Sequence, residues 1–312
     1  MFETPILFLI FNRPDTTKKV FEEIKKQKPK FLFIAADGAR EHIAGEGEKC
    51  KLTRDLIISN INWDCEVKML FRDQNLGCGL AVSEAITWFF DHVEQGIILE
   101  DDCLPHPSFF NYCKEMLEKY KENESVFSIN GSNLQGGNNI GNTSYFFSHY
   151  LYVWGWASWR RAWKFYDYDL KNLEEYKTKN LINKIDNRTI FKKYWIPIFE
   201  EVKNKKIDTW DYQWIFSIWN NQGLNIMPNV NLISNIGFGV EATHTTASSP
   251  YENLTTKNLG RIVHPINIEV NKKADKNVSD KVYKIIKKRK SIVFLKRMIK
   301  KLLQLYKSMI NG

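Results

Sequence analysis

Gly96-Ile-Ile-Leu-Glu100-Asp101-Asp102-Cys103-Leu-Pro105 decides how the rest of the chain is read. Gly96 to Leu99 predicts a short buried strand, and three carboxylates follow at its carboxyl end. Neighbouring strand residues point to opposite faces, so Glu100, Asp101 and Asp102 share one task only where the chain turns, a turn assigned to Pro105 and Pro107. Carboxylates this close repel one another. A divalent cation or a cationic ligand at the mouth of a sheet keeps them ionised. A solvated acidic turn between strand and helix is the plainer alternative.

The same punctuation recurs on either side. Pro5 to Phe11 is an apolar run of parallel-strand length, closed by Asn12-Arg13-Pro14-Asp15, and Pro14 to Gln27 predicts an amphipathic helix with Val20, Phe21 and Ile24 inward. Phe31 to Ala36 predicts a second strand ending at Asp37-Gly38. Cys65 to Phe71 predicts a third with Arg72 at its end, and Val126 to Ile129 another. Helices are expected over 48–59, 79–92 and 109–120. This alternation predicts an α/β fold of βαβ units, with a mainly parallel sheet flanked by helices. Ligands of such sheets bind outside the carboxyl ends of the strands. Those ends carry Asn12 and Arg13, Asp37 and Gly38, Arg72 and Asn75, and Glu100 to Asp102. Asp-Gly is also a common turn and Arg72 could be a surface charge, but together they mark one edge. No G-x-G-x-x-G follows the first strand and no G-x-x-x-x-G-K-[ST] occurs, which argues against dinucleotide and P-loop sites.

Beyond residue 130 the character changes. Asn130 to Thr143 has the Gly- and Asn-rich composition of a mobile loop, and residues 170–205 read as a solvated helical cover. Four tryptophans fall in the ten residues from Trp154 to Trp163. Trp159 and Trp163, at helical i, i+4 spacing, are expected in the core. Trp154 and Trp156 flank a glycine and suit a platform that stacks on a sugar face of an acceptor. His244 ends a Gly-rich segment beside hydroxyl residues and could reach a cation already held by carboxylates.

The 312 residues are 43% hydrophobic and 14% aromatic, enough for a packed core. The formal charge of +9 is concentrated at one end. Eleven Lys and Arg and no acid lie between Lys281 and Gly312, leaving the body near −2. The basic balance therefore describes an appendage and gives no case for nucleic acid. Cys50, Cys65, Cys78, Cys103 and Cys113 are odd in number with no C-x-x-C spacing, as expected of reduced thiols in a cytoplasmic setting. Neither a signal peptide nor an apolar run long enough to span a membrane is expected.

In order, the strand into Asn12-Arg13-Pro14-Asp15, Ala-Asp37-Gly38, Asn75-Leu-Gly77, Leu99-Glu100-Asp101-Asp102, Trp154-Gly-Trp156, Trp210-Asp211 and Thr243-His244 resemble a family. The chain is similar to GT-A-fold (Rossmann-like) nucleotide-diphospho-sugar glycosyltransferases of the bacterial surface-glycan type, and in outline to N-acetylglucosaminyltransferase I. The resemblance covers about residues 5 to 250. It implies that Glu100-Asp101-Asp102 is a D-x-D-type motif in which Asp102 binds Mn²⁺ or Mg²⁺ bridging a diphosphate, while Glu100 and Asp101 face ribose and donor sugar. Asn12, Arg13, Asp37 and Arg72 would line the nucleotide pocket, with Asp37 accepting from the base. Asp211 would be the general base and His244 would face the metal or diphosphate. Glu100 departs from the usual Asp, and the second half of the chain matches that enzyme poorly. The sugar's identity is therefore not carried over.

The expected organisation is a nucleotide-sugar-binding half over 1–130, an acceptor-binding and catalytic half over 131–270, and a basic amphipathic C-terminal helix over 271–312. The activity the resemblance implies is inverting transfer from a nucleotide-diphosphate sugar, UDP-sugars favoured, to a glycan or lipid-linked acceptor. Apolar residues spaced among Lys and Arg from Lys281 to Tyr306 predict attachment to an anionic membrane surface, placing the protein peripherally on the inner face of the cell membrane. The rivals are a metal-dependent phosphohydrolase and a non-catalytic glycan-binding module. Against the first, Asp101-Asp102-Cys103-Leu does not supply the D-x-D-x-[TV] nucleophile motif of haloacid-dehalogenase-type enzymes.

Overall fold

A computed structural model describes residues 1–137, 140–238 and 251–286. His244 and the cationic segment 287–312 lie outside the described residues.

The first half alternates β1 (Ile6–Ile10), α1 (Pro14–Gln27), β2 (Phe31–Ala36), α2 (Glu46–Asn60), β3 (Glu66–Phe71), α3 (Cys78–His92) and β4 (Gln95–Glu100). Then come β5 (Cys103–Pro105), α4 (Pro107–Lys119) and β6 (Val126–Asn130). The second half holds β7 (Tyr145–Ser148), β8 (Trp156–Trp159), α5 (Arg160–Trp163), α6 (Leu173–Thr178), α7 (Thr189–Lys203) and α8 (Asp211–Asn220). β9 (Leu224–Pro228), β10 (Ile233–Asn235) and α9 (Lys272–Lys281) complete it. The helices begin and end for local reasons. In α1, Pro14 takes the first turn, where its missing N–H costs nothing, and Lys28 closes the helix at φ 48°.

Eight strands form one sheet in the order β3-β2-β1-β4-β8-β6-β9-β7. β3, β2, β1 and β4 are mutually parallel, and β6 pairs with β9 in parallel. β8 runs antiparallel between β4 and β6, and β7 antiparallel on β9. The result is the expected α/β, Rossmann-like, mainly parallel sheet. Side-chain alternation divides the core into two layers. Leu7 and Leu9 face a layer built with α3 and α5 to α8, while Ile6, Phe8 and Ile10 face one built with α1 and α4.

Three expectations are corrected by this packing. Trp159 and Trp163 are both buried, but Trp159 ends strand β8 and only Trp163 is helical. Trp156 and Trp159, an odd number of strand residues apart, fall in opposite layers. The segment 130–143 is packed where described, with Leu134, Gln135 and Ile140 buried. Residues 170–205 present charge outward, but Leu173, Tyr176, Phe191, Trp195 and Phe199 build an aromatic layer beneath.

The C-terminal helix expected over 271–312 is, in its described part, α9 followed by non-helical residues 282–286. Lys284 adopts φ 55°, which ends helical geometry. Tyr283 stacks on Tyr150 at 5.4 Å, and Ile285 is buried. Among the described residues no helix is long and apolar enough to cross a membrane.

Candidate active site

A cavity of about 530 Å³ opens at the carboxyl ends of β1 to β4, within the size range of small-ligand sites. Arg13 reaches it after β1, Asp37 and Arg40 after β2, Arg72 and Asn75 after β3, and Glu100 to Asp102 after β4. The cavity is also lined by Val153, Trp154, Asp208 to Asp211, Asn235 and Gly237, the last lying against Asp102. Of the expected site residues, Arg13, Asp37, Arg72, Glu100, Asp101, Asp102, Trp154 and Asp211 thus share one cavity.

The acidic cluster turns at Asp101 and Asp102, before the prolines. Pro105 ends β5, which pairs with β10, and Pro107 opens α4 beside the His106 cap. Asp101 is buried, accepting from the Phe11 amide at 3.3 Å and from the Arg13 guanidinium. Asp102 accepts from Arg13 at 3.1 Å and from the Cys103 thiol at 3.3 Å. Burial pushes Glu100 up to about 8, with repulsion from Asp102 and Asp101 adding to it. Asp101 rises to about 6 by burial, opposed by Arg13. Burial also works against the charge on Arg13, but Asp101 and Asp102 overcome it and hold the guanidinium above its ordinary value. Arg13 therefore stays a cation under the cluster.

Asp37, expected to accept from the base, lines the cavity and is also tied to the neighbouring loop. Its carboxylate accepts from the amides of Gly38 at 3.0 Å, Leu76 at 3.1 Å and Gly77 at 3.2 Å, and from the Asn75 side chain at 2.9 Å. A carboxylate offers about four acceptor positions, so these bonds occupy it and it staples the 75–77 loop to the end of β2. Burial nevertheless holds its pKa above the ordinary value, with the Leu76, Gly38 and Gly77 amides opposing. Gly38 fits beneath that loop because a Cβ there would stand 2.3 Å from the Gln74 carbonyl carbon. Asn12 is corrected. It is not among the residues lining the cavity, and its amide donates to Glu46 at 2.7 Å, beside the Glu46–Arg40 ion pair.

Trp156 cannot be an acceptor platform. It is fully buried and stacks on Trp210 at 5.8 Å, because it sits mid-sheet in β8. Trp154 is half-buried, lines the cavity and meets Phe238 edge-on at 5.9 Å. Asp211 opens α8. Its Oδ1 accepts from the Tyr212 amide at 2.9 Å and from the Thr209 hydroxyl. Asp211 lies near enough to Glu100 to add to that residue's upward shift.

Four contributors escaped sequence reasoning. Arg40 lines the cavity over the Phe11 ring at 5.7 Å. Arg54 of α2 donates to the carbonyls of Asp37 and Arg72, both at 2.8 Å, fixing the ends of β2 and β3. Cys78 lines the cavity with its thiol pushed far up, first by burial and then by Glu100, Asp208 and Asp211. Gly237 passes over the acidic cluster, where a Cβ would stand 2.1 Å from Asp102 Oδ2 and 2.7 Å from Arg13 Nη1. The sequence signal for this approach was the glycine between Asn235 and Phe238.

Among the described residues, no three His, Cys, Asp or Glu side chains are arranged to hold a metal. Mg²⁺ and similar ions are commonly held by one or two carboxylates plus the oxygens of a bound phosphate, without an all-protein cage. Asp102 and Glu100 suit that arrangement, since a cation would offset the burial and the carboxylate repulsion that raise Glu100.

No family profile matches the chain, and no curated protein matches it. Solved structures similar to it include HddC from Yersinia pseudotuberculosis, 13% identical with a TM-score of 0.27, covering 40% of this chain and 56% of that one. Another is UDP-glucose pyrophosphorylase complexed with UDP-glucose, 14% identical with a TM-score of 0.23, covering 43% of this chain and 65% of that one. The chain spans less than two thirds of either.

Proposed function

We propose that this protein is a GT-A-type glycosyltransferase that moves a sugar, with inversion, from a nucleotide-diphosphate donor to a hydroxyl of a glycan or lipid-linked acceptor. The observation that carries this is that Glu100, Asp101, Asp102, Arg13 and Asp211 line one cavity of about 530 Å³. A nucleoside diphosphate leaves with at least two negative charges, and Arg13, held protonated by its two carboxylates, is placed to meet them. A bound Mn²⁺ or Mg²⁺, with Asp102 and Glu100 as the protein groups that would hold it, supplies the further positive charge such a leaving group needs.

Asp211 takes the proton of the acceptor hydroxyl as its oxygen bonds to the anomeric carbon. The bond to the diphosphate oxygen breaks with its electron pair going to the leaving group. Attack from the face opposite the leaving group inverts the anomeric centre. Trp154 is left as the aromatic surface for the acceptor. In the same reading, the cationic segment 287–312 brings the protein to an anionic membrane surface.

The test is a thermal-shift panel of UDP-, GDP-, dTDP- and CMP-sugars with and without Mn²⁺, on wild type and Asp102→Ala. Ligand bound to the native state raises stability by mass action. A metal-dependent shift with one nucleotide class, lost in Asp102→Ala, supports the reading and names the base. No shift with any donor refutes it.

A further inference from the structure

Asp208 stands three residues before the proposed base and makes contacts of a different kind. Its Oδ1 accepts from the Gly79 amide at 2.9 Å and its Oδ2 from the Cys78 amide at 3.0 Å. These are the first two residues of α3, which has no side-chain cap of its own, so a carboxylate 129 and 130 positions away supplies it. The approach is close enough to dictate residue type. A Cβ at Gly77 would stand 2.8 Å from Asp208 Oδ2, and one at Gly79 2.6 Å from Asp208 Oδ1 and 2.7 Å from the Thr209 carbonyl. Gly77 also adopts φ +81°.

This contact joins two halves of the cavity. On one side, the Asp37 carboxylate holds Leu76 and Gly77, the residues that lead into α3. On the other, Thr209 follows Asp208, and its hydroxyl donates to Asp211 while its carbonyl accepts from Gln213 at 2.6 Å. A chain of hydrogen bonds therefore runs from the end of β2, through the start of α3 and Asp208, to the Asp211 carboxylate. We propose that Asp208 is a positioning residue: it clasps the 208–211 loop to the first turn of α3 and so fixes Asp211 relative to the donor-side wall. This rests on the assignment of Asp211 as base. It also explains the Gly77-Cys78-Gly79 spacing, which the proposed chemistry leaves unused.

Three variants test the clasp. Asp208→Ala removes it. Asp208→Asn keeps one acceptor oxygen. Gly79→Ala leaves every polar group in place and pushes Asp208 and Thr209 away, although alanine alone favours a helix. Turnover is measured with the nucleotide sugar that gives the metal-dependent shift, and amide exchange is followed at Cys78, Gly79 and residues 209–212.

Asp208→Ala and Gly79→Ala are expected to lower kcat by roughly 10- to 100-fold, the scale of an ångström-level misplacement, with donor KM within about threefold of wild type. Asp208→Asn should fall between, and exchange should quicken on both sides of the contact. The double variant should lose little more than either single one. Unchanged kcat, or a rise in donor KM that accounts for the loss, overturns the proposal. If no nucleotide sugar binds even wild type, the glycosyltransferase reading fails by itself. The clasp is then judged by exchange alone, and unaltered exchange at 209–212 in Asp208→Ala overturns it.

Discussion

Asp37→Ala separates two roles open to one carboxylate, stapling a loop or reading a nucleobase. The side chain accepts from three backbone amides and from Asn75, all at 2.9 to 3.2 Å. Bonds to a charged acceptor are each worth about 1.5–3 kcal/mol at most, but burial disfavours this carboxylate and water can replace it in a loop where Leu76 is exposed. Counting about 1 kcal/mol for each of the three amides predicts a loss of about 3 kcal/mol, or a fall of about 5 °C in Tm for a chain of this size. Asp37→Asn, keeping one acceptor oxygen, should lose about half. The pH dependence has a definite sign. The folded pKa lies above the ordinary 3.8, so the folded protein binds more protons than the unfolded chain just above that value. Stability from this group therefore declines as pH rises through the carboxylate range, and Asn abolishes that slope. Urea unfolding at several pH values reads both quantities. An Asp37→Ala protein as stable as wild type but unable to bind nucleotide would refute the staple and restore the carboxylate as a base reader.

Other substitutions test neighbouring claims. Gly237→Ala should drive Asp102 and Arg13 apart and weaken metal-dependent donor binding about tenfold or more, measured by titration calorimetry; unchanged affinity would mean that Gly237 does not set the cluster's geometry. Trp156→Ala is expected to cost about 3–5 kcal/mol in chemical unfolding. Trp154→Ala should leave the fold intact and raise the KM for acceptor, and the opposite pattern would reverse the assignment. Cys78 should resist iodoacetamide at neutral pH despite lining the cavity, because its thiol stays protonated. Rapid labelling seen by mass spectrometry would contradict this.

The first 130 residues were legible because β1 and β2 are continuous apolar runs and α1 has an inward stripe of Val20, Phe21 and Ile24, whereas β3 carries Glu66 and Lys68 and was read from its place in the alternation. Their order placed Arg13 and Glu100 to Asp102 at one edge before any contact was known. Trp156 was misjudged because Trp-Ala-Ser-Trp does not announce a strand inserted antiparallel between β4 and β6. A composition that suits stacking on sugar equally suits stacking on Trp210. The loop contacts of Asp37 were hidden because three of its partners are backbone amides, which no side-chain pattern reveals. Asp208 was hidden because its partners lie 129 and 130 residues away.

The way α9 and residues 282–286 are fastened governs how the cationic end can be studied. Asp275 accepts from Ser148 at 2.5 Å and contacts His149 at 3.0 Å, Asn277 donates to Gln135 at 2.8 Å, and Arg188 pairs with Asp280 at 2.9 Å. Tyr283 then inserts beside Trp195 at 5.0 Å, in the aromatic layer that also supports α8, the helix Asp211 opens. Shortening the chain to Asp275 would strip away part of that layer along with the cationic residues, and lost membrane binding could then reflect a loosened active site. Shortening it to Ile286 removes only the cationic segment, so a flotation assay on that protein isolates what the segment does.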